Sequence, residues 1–137
     1  MRTIKYLVVH CTATQQNATV DAIKKYWHEV LNWKSPGYHF IVKANGDHEQ
    51  LADESRVCNG VKGFNEVSIH VSYIGGVDKN GKALDNRTSH QKNKMTAILR
   101  MLKGKYPNAV IQGHRDFPNV HKDCPSFDAK EYYKNLV

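Results

Sequence analysis

The sequence of 137 residues contains few cysteines and no long apolar run. Its 3 cysteines are odd in number and widely separated, which argues against a disulfide-built scaffold. The remaining roles for these cysteines are metal ligand, reactive thiol or core packing. No stretch provides the roughly 20 apolar residues of a membrane-spanning helix, or the roughly 7–15 of a signal peptide. We therefore expect a protein that has no membrane segment or signal peptide and is made in the cytoplasm.

A glycine-rich phosphate loop, internal repeats and low-complexity tracts are also missing. The tripeptide at residues 114–116, His-Arg-Asp, is similar to part of a kinase catalytic loop. That loop requires an asparagine downstream, and this chain has His121 at the corresponding position. We therefore exclude a protein kinase.

Positive charge and histidine are what the sequence has in excess. The 20 lysines and arginines outnumber the 13 aspartates and glutamates, for a formal net charge of +7, and there are 8 histidines. Basic proteins bind nucleic acid, anionic membrane surfaces or other anionic polymers such as cell wall. A nucleic-acid binder is expected to show a basic stripe with interleaved aromatic residues. No such stripe is present, so we expect no nucleic-acid partner.

Length and composition indicate one folded domain. With 40% apolar and 24% charged residues, the chain has the composition of an ordinary globular protein. A chain of this length buries enough of its surface to form a core of its own. Because domains run to roughly 100–200 residues, we expect one domain over residues 1–137.

The spacing of apolar residues predicts strands that alternate with helices. Predicted strands cover residues 4–9, 38–42, 48–51, 67–74 and 109–112, with a hairpin turn at 45–46. Predicted helices cover residues 20–33 and 88–104, and a short third helix starts at a Ser126 cap. The expected first-helix cap is Thr19, Thr88 begins a capping box, and Gly104 is the expected stop. This order predicts an α/β fold, a single domain whose mixed central β-sheet is covered by helices.

Three potential metal ligands lie at or after the ends of predicted strands. His10 ends the first strand, His114 follows the last strand by two residues, and Cys124 comes ten residues later. Zinc favours nitrogen and sulfur ligands, and a catalytic zinc site has three protein ligands and an open fourth position. Strand carboxyl ends of an α/β sheet are where such residues converge. The pattern alone also fits a structural histidine and a buried thiol.

Sequence blocks around these residues occur in a specific order. They are residues 8–14 (VVHCTAT), 37–42 (GYHFIV), 63–65 (GFN), 68–69 (SI), 74–78 (IGGVD), 113–116 (GHRD) and 122–128 (KDCPSFD). Together they resemble the zinc-dependent N-acetylmuramoyl-L-alanine amidases of the phage T7 lysozyme type, relatives of the peptidoglycan recognition proteins. The resemblance covers nearly the whole chain and implies the amidase/peptidoglycan-recognition-protein fold.

The resemblance also implies the chemistry of the site. The implied residues are the zinc ligands His10, His114 and Cys124, the active-site Tyr38 and the catalytic Lys122. With one zinc ion, the implied reaction is hydrolysis of the amide bond between N-acetylmuramic acid and L-alanine, so the implied partner is peptidoglycan. Action on the cell wall without a signal peptide requires a holin-type or some other route across the membrane. We expect a monomer.

Physical chemistry supports these implied roles. Zinc polarises an amide carbonyl and lowers the pKa of its bound water towards ~7, which supplies a nucleophile at neutral pH. Tyr38 can orient that water, and the charge of Lys122 stabilises a developing oxyanion, an interaction worth roughly 3–4 kcal/mol per donor in other enzymes. Lys122 also favours the thiolate of Cys124. Asn65 is a further candidate, as a hydrogen-bond partner for the peptide stem of the substrate.

The sequence departs from the family pattern at two positions. Family members often carry a histidine in the irregular segment before the Gly-x-Asn motif, where this chain has Gly60. They usually have a glycine after the next Ser-Ile pair, where this chain has His70. Both changes alter the floor of the groove without affecting an implied ligand. We expect His70 to be a polar partner on the face that it shares with Ser68 and Ser72, rather than an additional ligand.

Other residues near the implied site are expected to have structural roles. Because neighbouring strand residues point to opposite faces, we expect His39 to pack and hydrogen-bond away from the metal. By the same reasoning, Cys11 is expected to be a buried core thiol. We expect Trp33 to pack rather than bind sugar and His121 to lie on the surface, and Cys58 has no assigned role.

Two other functions are open at this point. One is a peptidoglycan-binding module without catalysis, although recognition relatives that lose activity typically lose the metal cysteine, which is present here as Cys124. The other is a cysteine hydrolase that uses Cys124 and His114, with the thiolate favoured by the N-terminus of the last helix. Sensitivity to a chelator rather than to an alkylating reagent distinguishes the zinc enzyme from the cysteine hydrolase.

Overall fold

The computed structural model describes residues 2–136 and has a five-stranded sheet at its centre. The strands are β1 (Tyr6–Cys11), β2 (Phe40–Val42), β3 (His48–Gln50), β4 (Ser68–Tyr73) and β5 (Val110–Gly113). Their order across the sheet is β3-β2-β4-β1-β5. Strand β1 pairs in parallel with β4 and β5, β2 pairs in parallel with β4, and β3 is antiparallel to β2. The sheet is therefore mixed, as the sequence predicts.

The interior strand β1, which lies between β4 and β5, is buried on both faces, which explains its apolar run. Leu7, Val8 and Val9 are all 0% exposed, as expected of a parallel strand that is covered on both sides. The register places His10 beside Ser72 of β4. The polar residue near the end of β1 therefore lies at the carboxyl end of the sheet, between two neighbouring strands.

Helix α2 (Ser89–Lys105) packs into the main core on one face of the sheet. Its fully buried side chains are Met95, Leu99 and Leu102, together with Gln91 in the first turn. The predicted capping box is confirmed. The Thr88 hydroxyl oxygen accepts from the Gln91 N–H at 3.0 Å, and the Gln91 carboxamide oxygen accepts from the Thr88 N–H at 2.9 Å.

The end of α2 differs from the prediction. Gly104 lies inside the last turn rather than at a stop, and the helix continues through Lys105. It ends before Pro107, because the residue that precedes a proline avoids helical dihedrals. No helix among residues 2–136 is long and apolar enough to cross a membrane.

The first predicted helix ends early and changes type. Helix α1 (Val20–Lys25) begins at the predicted cap, where the Thr19 hydroxyl accepts a backbone N–H at 3.1 Å. A π-helix follows over Tyr26–Val30, and the Leu31 N–H reaches back five residues to close it. Because a π-turn shifts the apolar stripe, Val30 is 60% exposed although its spacing predicts burial.

The last helix has a different cap from the one predicted. Helix α3 (Ala129–Tyr132) follows Asp128, whose carboxylate accepts a backbone N–H of the first turn at 3.2 Å. The predicted cap at Ser126 is wrong, since its φ of +70° lies outside the extended region that an N-cap requires. Instead, the Ser126 hydroxyl donates to the carbonyl of Gly76 at 2.8 Å. This bond ties the segment after Cys124 to the loop that follows β4.

Candidate active site

The three expected ligands come together at the carboxyl ends of β1 and β5. His10 is the fifth residue of β1 and is 1% exposed. His114 is the first residue after β5 and begins a single 3-10 turn. Cys124 ends the loop that returns to this point and is 9% exposed. One donor atom from each of the three residues lies within 4.8 Å of the others. We call these three residues the ligand cluster.

Backbone hydrogen bonds hold Cys124 against the two strands. The Arg115 N–H donates to the carbonyl of Cys124 at 2.9 Å, which joins the return loop to the turn after β5. The Cys11 N–H donates to the Cys124 sulfur at 3.2 Å, which joins the same residue to the end of β1. The strands that carry the two histidines therefore also determine where the cysteine lies.

The donor set and its spacing fit a zinc ion. The sulfur of Cys124 and Nδ1 of His10 are 3.8 Å apart. Tetrahedral zinc, with bonds of about 2.0–2.1 Å to nitrogen and 2.3 Å to sulfur, holds two such ligands about 3.5 Å apart. Two imidazoles and one thiolate make a three-ligand set, and the same residues line a cavity that has room for water and substrate.

Burial keeps both imidazoles of the ligand cluster neutral. It lowers the pKa of His10 well below its ordinary value, and nearby imidazoles and Lys122 lower it further. Burial, followed by the charge of Lys122, lowers the pKa of His114 to about 4. Each ring therefore keeps a lone pair for a metal ion at neutral pH.

The environment of Cys124 favours a metal ligand over a free nucleophile. Its contact with the Cys11 thiol and its burial raise the pKa of Cys124 well above the ordinary value. The Cys11 N–H and the charge of Lys122 act in the opposite direction but do not outweigh them. Helix α3, whose N-terminus the cysteine-hydrolase hypothesis requires, has only four residues and begins five residues after Cys124. A cation is therefore needed to hold the thiolate.

Tyr38 and Lys122 lie at the same cavity as the ligand cluster. The Tyr38 hydroxyl donates to the carbonyl of Cys11 at 3.2 Å, and its ring centroid is 4.9 Å from that of His10. Burial is the main cause that raises the pKa of Tyr38, so the hydroxyl stays protonated. Lys122 is exposed two residues before Cys124. Its ammonium group is therefore free to approach a substrate.

Asn65 is not among the residues that line the cavity, and its expected contact with a peptide stem stays a prediction. Its side-chain oxygen instead accepts from the Val61 N–H at 2.8 Å and contacts Nε2 of His70 at 3.0 Å. Nδ1 of His70 in turn lies 2.8 Å from Nε2 of His10. His70 is therefore a polar partner, as expected, and its partner is a member of the ligand cluster.

The expected structural roles of the neighbouring residues are confirmed. His39 is 0% exposed and has no bond to the ligand cluster, since its Nδ1 accepts from the His70 N–H at 3.0 Å and its Nε2 contacts the Arg56 carbonyl at 2.7 Å. Cys11 is 3% exposed and packs in the main core. Cys58 is buried and lies outside the ligand cluster, and His121 is exposed.

The cavity has a volume of about 720 Å³, and four aromatic or apolar residues of the segment 26–33 also line it. We call these residues the aromatic wall, and they are Tyr26, Trp27, Leu31 and Trp33. The two indole rings stack with centroids 6.3 Å apart. Trp33 packs, as expected, and it also lines the cavity. Tyr26 and Leu31 are wall residues that sequence reasoning missed, and the only available signal was their place in an otherwise helical stripe.

Comparison with known proteins shows which family the chain belongs to. Residues 1–127 match the Amidase_2 family, described as N-acetylmuramoyl-L-alanine amidase. The endolysin of Enterobacteria phage K11 is 39% identical over 127 residues, which is 92% of this chain and 83% of that protein. The endolysin of Escherichia phage T7 is 39% identical over 130 residues, which is 93% of this chain and 84% of that protein.

Solved structures show the same fold. The N-acetylmuramoyl-L-alanine amidase LysC from Clostridium intestinale has a TM-score of 0.80 at 23% identity, over 98% of this chain and 86% of that chain. PGRP-SA from bumblebee has a TM-score of 0.80 at 18% identity, over 100% of this chain and 84% of that chain. At these identities the likeness establishes the architecture that was expected, a mixed sheet with covering helices.

Proposed function

This chain belongs to the N-acetylmuramoyl-L-alanine amidase family, and we propose that it uses one zinc ion to hydrolyse the amide bond between N-acetylmuramic acid and L-alanine of peptidoglycan. The proposed ligands are His10, His114 and Cys124. The observation that carries the proposal is their convergence, within 4.8 Å, beside a cavity that Tyr38 and Lys122 also line. The endolysin names of the phage relatives support a cell-wall substrate.

The ion, when bound, supplies the Lewis acidity that polarises the amide carbonyl and activates water. Tyr38 already donates its proton to the Cys11 carbonyl, so its oxygen is available to accept a hydrogen bond from the attacking water. The ammonium group of Lys122 approaches the carbonyl oxygen as negative charge develops there. Hydrolysis adds water across the C–N bond and releases the lactyl carboxylate and the free amine of L-alanine.

The aromatic wall supplies binding surface in the cavity that the ligand cluster also lines. Tyr26 is 52% exposed and Leu31 is 37% exposed, so the wall presents apolar surface to a ligand. Aromatic rings provide large contact area with little loss of conformational entropy. The proposed role of the wall is to hold the substrate while the ligand cluster performs the chemistry. Access to the cell wall through a holin-type route is part of the same proposal.

The test uses purified peptidoglycan and mass spectrometry of the products. We expect zinc-loaded protein to release stem peptides that begin with free L-alanine, and we expect a chelator to stop this release until zinc is restored. Cys124→Ala is expected to lose both stoichiometric zinc and product. Cys58→Ala is the matched control, because it removes another buried cysteine that lies outside the ligand cluster.

Three results contradict the proposal. Full activity in protein shown to be free of zinc excludes the zinc mechanism. Inactivation by alkylation with no effect of the chelator supports a cysteine hydrolase that uses Cys124 and His114. Binding of peptidoglycan by zinc-loaded protein without any cleavage supports a recognition module.

A further inference from the structure

A buried chain of polar groups behind His10 has no part in the proposed mechanism. It runs from the side chain of Asn65 to the imidazole of His70 and from there to the imidazole of His10. We infer that His70, held by Asn65, is a positioning residue that fixes the tautomer and the ring orientation of His10, so that Nδ1 of His10 presents its lone pair to the ligand cluster. The consequence for metal affinity rests on the proposed zinc function.

The protons along this chain are determined from the Asn65 end. The Val61 N–H lies 2.8 Å from the side-chain oxygen of Asn65, and only an oxygen can accept this bond. The same oxygen is 3.0 Å from Nε2 of His70, so Nε2 must carry a proton and donate it. A neutral imidazole carries one proton, and Nδ1 of His70 is therefore an acceptor.

The assignment continues to the ligand cluster. Because Nδ1 of His70 accepts, Nε2 of His10, 2.8 Å away, is the donor. His10 is neutral as well, so its Nδ1 has no proton. That atom is the one that lies 3.8 Å from the sulfur of Cys124. The chain therefore leaves a bare nitrogen at the position where a metal ligand is required.

Burial shields the hydrogen bond between the two rings. His70 is 0% exposed and His10 is 1% exposed, so water does not compete for the bond between Nε2 of His10 and Nδ1 of His70. The backbone N–H of His70 donates to Nδ1 of His39, and the rings of His39 and His70 stack at 5.8 Å. A buried hydrogen-bond partner that orients a metal histidine typically contributes 10–100-fold to metal affinity.

The two departures from the family pattern are linked in space. A Cβ atom built on Gly60 would overlap Nδ1 and neighbouring ring atoms of His70. The imidazole on β4 therefore occupies the volume that a side chain at position 60 would need. Glycine at position 60 and histidine at position 70 are therefore coupled through the space that they share.

The first test uses nuclear magnetic resonance and needs no metal. In protein with 15N-labelled histidine, we expect a coupling through the hydrogen bond between Nε2 of His10 and Nδ1 of His70, and an imidazole N–H of His10 that exchanges slowly. His70→Ala is expected to lose both signals. A wild type without the coupling overturns the inference.

The second test measures zinc affinity by competition with a chromophoric chelator. His70→Ala is expected to bind zinc roughly 10–100-fold more weakly than wild type. His70→Asn, whose side-chain oxygen can accept in place of Nδ1, is expected to stay within about threefold. His39→Asn is the matched control, since it alters a buried histidine of the same stack that has no bond to the ligand cluster.

Thermal melts establish that each variant is folded before its affinity is compared. A folded His70→Ala that binds zinc within about threefold of wild type overturns the inference. A wild type that shows the coupling but binds no zinc contradicts the proposed function instead, and leaves the positioning role of His70 supported.

A double-mutant cycle tests the coupling between positions 60 and 70. Gly60→Ala is expected to lower the folding equilibrium constant roughly tenfold or more, because it overpacks the site against His70. In the His70→Gly background the same substitution is expected to leave the folding equilibrium constant nearly unchanged. Urea unfolding measures the free energy of unfolding of each variant. Additive effects of the two substitutions on this free energy contradict the coupling.

Discussion

The ligand cluster lies at the carboxyl ends of β1 and β5 and in the loop that returns to them, whereas the aromatic wall of the same cavity is built on a five-residue π-helix and the loop that follows. His10 is 1% exposed and hydrogen-bonded on its far side, but Tyr26 of the wall is 52% exposed. The sheet therefore holds the groups that must keep their geometry. The less tightly packed segment carries the contact surface, where adjustment to a ligand is useful.

This difference predicts that substitutions on the two sides change different kinetic constants. Groups that act on developing charge change kcat, whereas groups that bind substrate and transition state alike change KM. Buried groups outside the mechanism change the free energy of unfolding. The predictions below take one residue of each kind.

The largest effect is expected for Lys122→Ala. Loss of one donor to a developing oxyanion typically lowers kcat by about 10²–10³-fold. Zinc content and KM are expected to change little, because Lys122 is exposed and outside the ligand cluster. Steady-state kinetics on soluble peptidoglycan fragments measure the effect, with Lys92→Ala on helix α2 as an exposed control. An unchanged kcat would remove Lys122 from the mechanism.

A smaller effect is expected for Trp33→Ala, which alters the aromatic wall. This substitution removes a ring that lines the cavity and stacks on Trp27. We expect KM to rise about tenfold with little change in kcat, since one aromatic contact is worth roughly 0.5–1.5 kcal/mol beyond its area. Trp33→Phe is expected to recover most of the loss. A fall in kcat at constant KM would show that the wall takes part in the chemistry.

The smallest effect concerns His39, the buried histidine that stacks on His70. Burial is the main cause that lowers the pKa of His39 from 6.5 to about 4. Below pH ~6.5 the unfolded chain therefore binds a proton that the folded chain does not, and stability is lost as the pH falls towards about 4. His39 contributes a slope of about 1.4 kcal/mol per pH unit in that window.

Urea unfolding between pH 7 and pH 5 in the presence of a chelator measures this slope. We expect the slope of the His39→Asn variant to be smaller than that of wild type by the contribution of His39. His48→Asn, which alters an exposed histidine on strand β3, is the matched control. Equal slopes in wild type and His39→Asn would contradict burial as the cause.

The sheet and the meeting of His10 and His114 at one edge of it follow from the sequence for physical reasons, whereas the choice of Cys124 as third ligand depends on the family resemblance. A buried parallel strand requires an apolar run such as residues 7–9, and the capping box at Thr88 has a local signature. Strand ends then bring His10 and His114 to one edge. These features depend on local spacing and on the general geometry of sheets.

Other features of the fold and the site depend on contacts between distant segments. The spacing of residue types along the sequence does not reveal such contacts. Val30 fits the apolar stripe, but the π-turn rotates it into solvent. Asn65 belongs to a loop motif whose side chain turns inward to Val61 and His70. The bond between His70 and His10 requires both the register of β1 with β4 and the space left by Gly60.

X-ray absorption spectroscopy of protein loaded with one equivalent of zinc tests the central claim most directly. We expect one sulfur at about 2.3 Å and two imidazole nitrogens at about 2.0–2.1 Å, with the remaining position filled by oxygen. The sulfur signal is expected to disappear in Cys124→Ala and to persist in Cys58→Ala. A zinc shell without sulfur, or one whose sulfur depends on Cys58, would contradict the assignment of His10, His114 and Cys124 as the metal site.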